Sequence, residues 1–336
     1  MQQGAQKILV VGGNGFIGSA VCKAALARGM QVTSISSSGR PYRTPKGHTP
    51  AWASKVQIPR CVHSRLYWQK GNALKPDTYA HILPGVTAVV HTLGTLLEDG
   101  SYKTAVREGD VLGLASSFIK SLGGRNPLES GQHRPGSYET LNRDAAFQVC
   151  DAFLSSKSEI KLEVPRAFVY LSAEDVLRPW VPSRYIETKR EAELGIERMI
   201  ATRPDVRAVY IRPSLVYHAH LRPLISPLAA LLDLSATIHA KVPPTLPTPS
   251  MILRAVAPLL PQPTPAPSGV APSSLDSIAN AMTIPPIHVE HVAEATVIAA
   301  DNARIDIRGP YGVEKMRQLI GWSQKGQEPA PLEQHT

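Results

Sequence analysis

Short apolar runs alternate with amphipathic stretches along most of this chain. The runs Ile8 to Val11, Val32 to Ile35, Leu66 to Trp68, Ala88 to His91, Ala167 to Leu171 and Ala208 to Ile211 are too short for core helices and read as buried strands. Helical periodicity fills most of the gaps: it covers Phe16 to Arg28, and after Tyr185 it carries an apolar stripe through Ala192, Ile196 and Met199. Strand and helix in alternation predict an α/β fold, with a doubly wound parallel sheet and a small C-terminal lobe for substrate or partner. The sheet domain is expected over 1–217 plus 286–304, and the proline-rich lobe over 218–285 plus 305–336. Two interruptions, Ser37 to Arg65 and Glu108 to Gly136, read as surface insertions, lids or partner contacts rather than core. From Arg222 to Ser274 the composition shifts, and prolines crowd Val242 to Pro249 and Leu260 to Pro267 densely enough to exclude regular helix or strand there. Between and beside them lie the apolar segments Leu224 to Leu234 and Met251 to Leu260, too short and too interrupted to cross a bilayer. Such segments can line a pocket, lie in a membrane interface or pack the lobe.

The first strand runs straight into Gly12-Gly-Asn-Gly-Phe-Ile-Gly18 and then into a helix that Gly29 closes. Gly12, Gly13, Gly15 and Gly18 permit a tight turn, close approach to a pyrophosphate and close helix-to-sheet packing, which defines a Rossmann dinucleotide grip. The phosphates are expected on the amino end of the helix, along Asn14, Gly15, Phe16 and Ile17, where free N–H groups and the helix dipole favour negative charge. The end of the second strand offers no carboxylate for ribose hydroxyls; it carries Ser34, Ser36, Ser37, Ser38, Gly39 and Arg40. Hydroxyls beside a guanidinium suit a 2′-phosphate, so NADP(H) is expected in preference to NAD(H), with Ser36 and Arg40, or Arg43 further along, as its contacts.

Charge and cysteines narrow the classes. The formal net charge is +9, but the basic residues are dispersed and no aromatic stripe is interleaved with them, so a nucleic-acid partner is not expected. The same charge suits a mitochondrial matrix protein or one resting on anionic lipid. Three cysteines, Cys22, Cys61 and Cys150, form no C-x-x-C pair and stand near no histidine cluster, which implies a reducing compartment and no metal site. Because the first strand begins by Lys7, no cleavable presequence is expected ahead of it.

Tyr185-Ile-Glu-Thr-Lys189 places a tyrosine and a lysine on one helical face, and Ser172 stands at the carboxyl end of the fifth strand, thirteen residues before the tyrosine. Together with the G-x-x-G-x-x-G turn, this constellation resembles the extended short-chain dehydrogenase/reductases. That resemblance implies that Lys189 holds the nicotinamide ribose and stabilises a Tyr185 phenolate, while Ser172 orients a carbonyl or hydroxyl. His91-Thr-Leu-Gly94, Ile211-Arg-Pro-Ser-Leu-Val-Tyr217 and Pro286-Ile-His-Val-Glu-His-Val-Ala293 resemble the same family's cofactor-wall, R-P-x-x-V-Y and H-V-x-x-V-A segments, which implies cofactor contacts at Thr92 and Gly94. Asn72 stands where that family commonly has an aspartate beside the adenine. His91 and His288 are expected to be packing or hydrogen-bonding residues without a catalytic role.

The stretches Thr92 to Glu98 with Tyr102-Lys103, Ser137 to Arg143 and Ser183 to Glu193 narrow the resemblance further. They are similar to the fungal mitochondrial NAD(P)-binding proteins associated with coenzyme Q biosynthesis, which are related to the Rossmann accessory subunit of respiratory complex I. The resemblance implies a matrix-side protein associated with the inner membrane by peripheral contact and working with the ubiquinone-synthesis protein complex. It leaves two activities open: an oxidoreductase acting on a quinone precursor or lipid carbonyl, and a non-catalytic assembly protein that NADPH stabilises. A sugar-nucleotide epimerase or dehydratase is a third reading, disfavoured by the missing acid and the apolar lobe.

Overall fold

The computed structural model of the protein describes residues 6–54, 65–96, 137–157, 164–223, 225–243, 245–260, 269–270 and 273–322. Cys61, the insertion 108–136 and most of the second proline run lie outside the described residues. The six apolar runs form strands β1 (Lys7–Val11), β2 (Gln31–Ser36), β3 (Leu66–Lys70), β4 (Ala88–His91), β5 (Arg166–Leu171) and β6 (Val206–Ile211). They pair in parallel in the order β3-β2-β1-β4-β5-β6, with Val11 opposite Ile35 on one side and His91 on the other. Burial on both faces explains why β4, β5 and β6 read as continuous rather than alternating runs: every residue in them is buried.

Helices cover both faces. On one side α1 (Phe16–Ala27) packs against α7 (Val289–Ala300), enclosing Ile8, Val10, Val90, Val169 and Val297. On the other, α2 (Ala145–Ser155) and α3 (Ser183–Ile200) enclose Leu9, Val89, Phe153, Phe168 and Ile196. A π-helical turn, Glu139–Asp144, leads into α2, and ion pairs join it to α3: Arg184 to Glu139 at 2.8 Å and Arg143 to Glu191 at 2.8 Å. Cys22 and Cys150 are buried thiols, each pushed up to about 12 chiefly by desolvation, as small core residues would be.

Two features depart from the sequence pattern. Composition puts residues 305–336 in the lobe, yet β9 (Gly309–Tyr311) joins the main sheet as a seventh parallel strand beside β6, and α8 (Val313–Leu319) packs on α7. The lobe itself is helical: α4 (Ile225–Lys241), α5 (Pro249–Val256) and α6 (Ser274–Thr283). Pro249 does not break α5, because it occupies the first turn, where no N–H partner is needed. The lobe is tied to the body by Ser277 Oγ accepting from Arg178 N at 3.0 Å and Asn280 Nδ2 donating to Asp175 O at 3.0 Å. A two-stranded ribbon, β7 (Val216–Tyr217) with β8 (Ile287–His288), sets the R-P-x-x-V-Y and H-V-x-x-V-A segments side by side.

Candidate nucleotide-binding site

β1 and β4 adjoin, while their chain neighbours lead to opposite ends of the sheet; this reversal of strand order opens a crevice at the carboxyl ends of the strands. A cleft of about 590 Å³ occupies that position. Its wall includes Gly12, Asn14, Gly15, Phe16, Ile17, Gly18, Thr92, Gly94, Ser172, Tyr185 and Lys189. Gly13, Ser36, Arg40 and Asn72 do not line it.

The turn is built to bring backbone to ligand. Gly12 has φ +87°, which an L side chain resists, and its carbonyl accepts from Gly15 N at 2.9 Å. A Cβ on Gly18 would collide with that carbonyl and stand 2.7 Å from Thr92 Oγ1, so the helix sits as close to the sheet as a glycine allows. Gly15 caps α1 with no side-chain bond, and the first turn carries no acid, so its free N–H groups face the cleft. These features fit a dinucleotide pyrophosphate. Gly13 instead serves packing beneath the turn, since a Cβ there would run into Ser34 Oγ, with Cys22 Sγ at 2.9 Å.

At the ends of β2 and β3, Ser36 Oγ accepts from Gly39 N at 3.1 Å and Asn72 Oδ1 from Leu74 N at 3.0 Å, so both side chains shape their own turns. Arg40 is exposed outside the cleft, whereas Arg43, with Tyr42 and Pro45, lines it. Arg222 also lines the cleft, its guanidinium 3.8 Å from the Phe16 ring centre. Sequence reasoning ranks Arg43 behind Arg40 and misses Arg222, since both lie in proline-interrupted stretches without periodicity.

Lys189 is buried, and its ammonium donates to Leu171 O at 2.8 Å and lies 4.8 Å from the Tyr170 ring centre. Desolvation pushes its pKa down to about 7. A Cβ on Gly94 would meet Lys189 Nζ at 2.8 Å, so the glycine leaves the lysine its room. His91, wholly buried beside Tyr170, has neither ring nitrogen hydrogen-bonded, and burial first and the lysine charge second lower its pKa to about 3. His288 caps α7 by accepting from Glu290 N at 3.3 Å. Asn142, from the π-helical turn, fixes the loop after β4 by accepting from Thr95 N at 3.0 Å and is joined to Thr188 at 3.3 Å.

Ser172 is engaged in a network that the sequence does not reveal. Its hydroxyl donates to Glu193 Oε1, and Arg190 Nη1 donates to both Ser172 Oγ at 3.1 Å and Glu193 Oε1 at 2.7 Å. Arg212 closes the cluster, with Nε 3.0 Å from Glu193 Oε1 and Nη2 on Oε2. Glu174, on the cleft wall, has its pKa raised by burial despite Arg190 at 3.9 Å. The signal that was available is Glu193 itself: with Tyr185 and Lys189 it forms an i, i+4, i+8 row on α3, a carboxylate on the same face as the pair.

A parallel sheet, a glycine turn at its crevice and a Tyr-Lys pair on the opposite wall define a nicotinamide-dinucleotide-binding protein of the short-chain dehydrogenase/reductase type. Residues 8–111 match the NAD dependent epimerase/dehydratase family. Over 219 residues the chain is 33% identical to MIOREX complex component 2 of Saccharomyces cerevisiae, an alignment spanning 64% of this chain and 74% of the relative. The chain belongs to that protein's family, and its residues 8–111 carry the epimerase/dehydratase match. Among solved structures, an oxidoreductase of the short-chain dehydrogenase/reductase family from Burkholderia thailandensis superposes with a TM-score of 0.51 at 12% identity, covering 93% of this chain and 92% of that one. A short-chain type dehydrogenase/reductase from Mycobacterium ulcerans gives 0.51 at 14% identity, covering 93% and 90%. At these identities they show the fold alone.

Proposed function

We propose that the protein is a nucleotide-holding component of a mitochondrial assembly serving ubiquinone synthesis, on the matrix side of the inner membrane, with bound NADP(H) stabilising its fold rather than being turned over. The observation that carries this reading is the Ser172 hydroxyl. Its proton is committed to a carboxylate clamped by two arginines and one lone pair accepts from Arg190, so only its remaining lone pair, not a donor, is left for a substrate oxygen. An oxyanion developing beside it would meet electron density where a reductase supplies a hydrogen bond. The glycine turn, by contrast, keeps bare backbone at Gly12, Gly15 and Gly18 on the cleft wall, which supports a held pyrophosphate. Preference for NADP(H) is supported by the absence of an acid at the end of β2 and by Arg43 on the cleft wall, which takes over the 2′-phosphate role expected of Arg40. The relative named for the MIOREX complex supports membership of an assembly, and the resemblance to coenzyme Q-associated proteins supports the compartment and pathway.

A second reading, an NADP(H)-dependent oxidoreductase of a quinone precursor or lipid carbonyl, is favoured by the burial of Lys189 and its pKa near 7 on the wall shared with Tyr185. Tyr185→Phe separates the two. The assembly reading expects a strain carrying this variant in place of the wild type to keep its ubiquinone content; loss of ubiquinone with NADPH affinity intact would establish turnover instead.

A further inference from the structure

Leu221 and Arg222 reach the cleft wall from the turn between β7 and α4, and that turn is held at both ends. His218 Nδ1 accepts from His220 N at 3.1 Å and from Leu221 N at 3.2 Å, and His218 O accepts from Arg222 N at 2.9 Å. Ile225 N, at the start of α4, donates to Arg222 O at 3.1 Å. The His218 ring rests on His288, with 5.0 Å between centres, and His288 is the residue that caps α7. The backbone of Arg222 is thus fixed between the ribbon and α4, and its side chain lays the guanidinium over the Phe16 ring at 3.8 Å. Phe16 is the first residue of α1, in the turn whose N–H groups face the cleft.

Among the described residues the cleft wall carries three basic side chains, Arg43, Lys189 and Arg222, against one acid, Glu174. They come from separate places: the segment after β2, helix α3 and the turn before α4. In a dinucleotide fold the end of the second strand meets the adenosine ribose and the amino end of the first helix meets the pyrophosphate. Arg43 belongs to the first position, whereas Arg222, lying over the first residue of α1, belongs to the second. A helix terminus supplies only about half an elementary charge, while each phosphate of the bridge carries a full one. We propose that Arg222 is a side-chain anchor for the pyrophosphate, added to the backbone N–H groups of the glycine turn, and that it ties bound nucleotide to the segment leading into α4. The inference rests on the reading that the cleft holds a dinucleotide. A guanidinium suits the task, because its planar fork serves two phosphate oxygens at once and contact with an aromatic ring orients that fork. With its backbone already fixed, the arginine loses little freedom on binding.

The test is titration of the full chain with NADPH and NADH, in the wild type and in Arg222→Ala. Because both nucleotides contain the pyrophosphate, the variant is expected to weaken both by the same factor, roughly tenfold or more. Arg222→Lys keeps the charge without the fork and is expected to recover part of the loss. Phe16→Leu keeps the arginine but removes the ring beneath it, and a smaller loss on both nucleotides is expected. Hydrogen exchange supplies a second readout: NADPH is expected to slow exchange at the amides of His220, Leu221, Arg222 and Ile225 in the wild type and not in Arg222→Ala. A cooperative urea transition confirms that each variant is folded. A folded Arg222→Ala that keeps the wild-type affinities overturns the proposal, leaving the arginine as a packing partner of Phe16. A loss confined to NADPH overturns it in favour of a 2′-phosphate contact. A wild type that binds neither nucleotide refutes the reading of the cleft, and the proposal with it; binding by the wild type that Arg222→Ala leaves untouched refutes the proposal alone.

Discussion

Replacing Lys189 by methionine is expected to stabilise the apoprotein while weakening nucleotide binding. The lysine is buried with its ammonium on Leu171 O, and its pKa falls from 10.5 to about 7 because desolvation outweighs the attraction of Glu193. That displacement corresponds to about 5 kcal/mol of preference for the neutral amine. A pKa lowered by folding gives stability that is complete above the unfolded value and is lost as pH falls toward the folded one. Of this, about 4 kcal/mol is already lost at pH ~7.5, and about 2 kcal/mol returns between pH ~7.5 and ~9. Methionine removes the penalty but takes the donor from the Leu171 carbonyl, which costs about 1–3 kcal/mol. The net expectation at pH ~7.5 is a gain of roughly 1–3 kcal/mol. Urea unfolding at the two pH values measures it. The buried Cys22 and Cys150 act in the opposite sense over the upper part of this window, since their raised values make stability fall as unfolded thiols ionise, so the lysine's share is read from the difference between wild type and Lys189→Met, in which the thiols cancel. A methionine variant less stable than the wild type at pH ~7.5, or a difference between variant and wild type that does not narrow across the window, would refute the reasoning.

The same geometry sets four further outcomes. His91, neutral and buried with its value near 3, makes the protein lose stability as pH falls below the ordinary histidine value, and His91→Leu should remove about 2 kcal/mol of the loss between pH ~7 and ~5 in urea titrations. Gly18→Ala drives a methyl into the Gly12 carbonyl, so it should abolish NADPH binding and cost about 1–3 kcal/mol of stability by calorimetry. Glu193→Ala leaves Arg190 and Arg212 facing each other without their carboxylate; a loss of about 3–5 kcal/mol is expected, and a near-neutral effect would show that the cluster is dispensable. Arg43→Ala should weaken NADPH binding roughly tenfold with little effect on NADH, while Arg40→Ala leaves both unchanged; the reverse order would move the 2′-phosphate to Arg40.

The parts of the site legible from sequence are those whose cause is local. A strand, a glycine turn and a helix are contiguous, and strands buried on both faces show as unbroken apolar runs, so the grip and six strands can be placed by inspection. β9 escapes because Gly309-Pro-Tyr311 has no apolar run of its own; it becomes a strand only by pairing with β6, nearly one hundred residues earlier. The Ser172 cluster escapes for a related reason: its members come from the end of β5, from α3 and from the loop after β6, and only the sheet register brings them together. Ser36 and Asn72 stand out by their position at strand ends, but short polar side chains there bond to their own turns first. The lobe's helices are obscured by prolines that fall at helix starts and in the connections rather than in helix interiors.

The central claim, that the crevice holds a dinucleotide and selects the phosphorylated form, is tested most directly by titrating the purified protein with NADPH and NADH in parallel, following cofactor fluorescence. Saturable binding that favours NADPH and disappears in Gly15→Asp, which puts a carboxylate at the pyrophosphate turn, is the predicted result. No saturable binding of either nucleotide, or binding that survives Gly15→Asp, would contradict it.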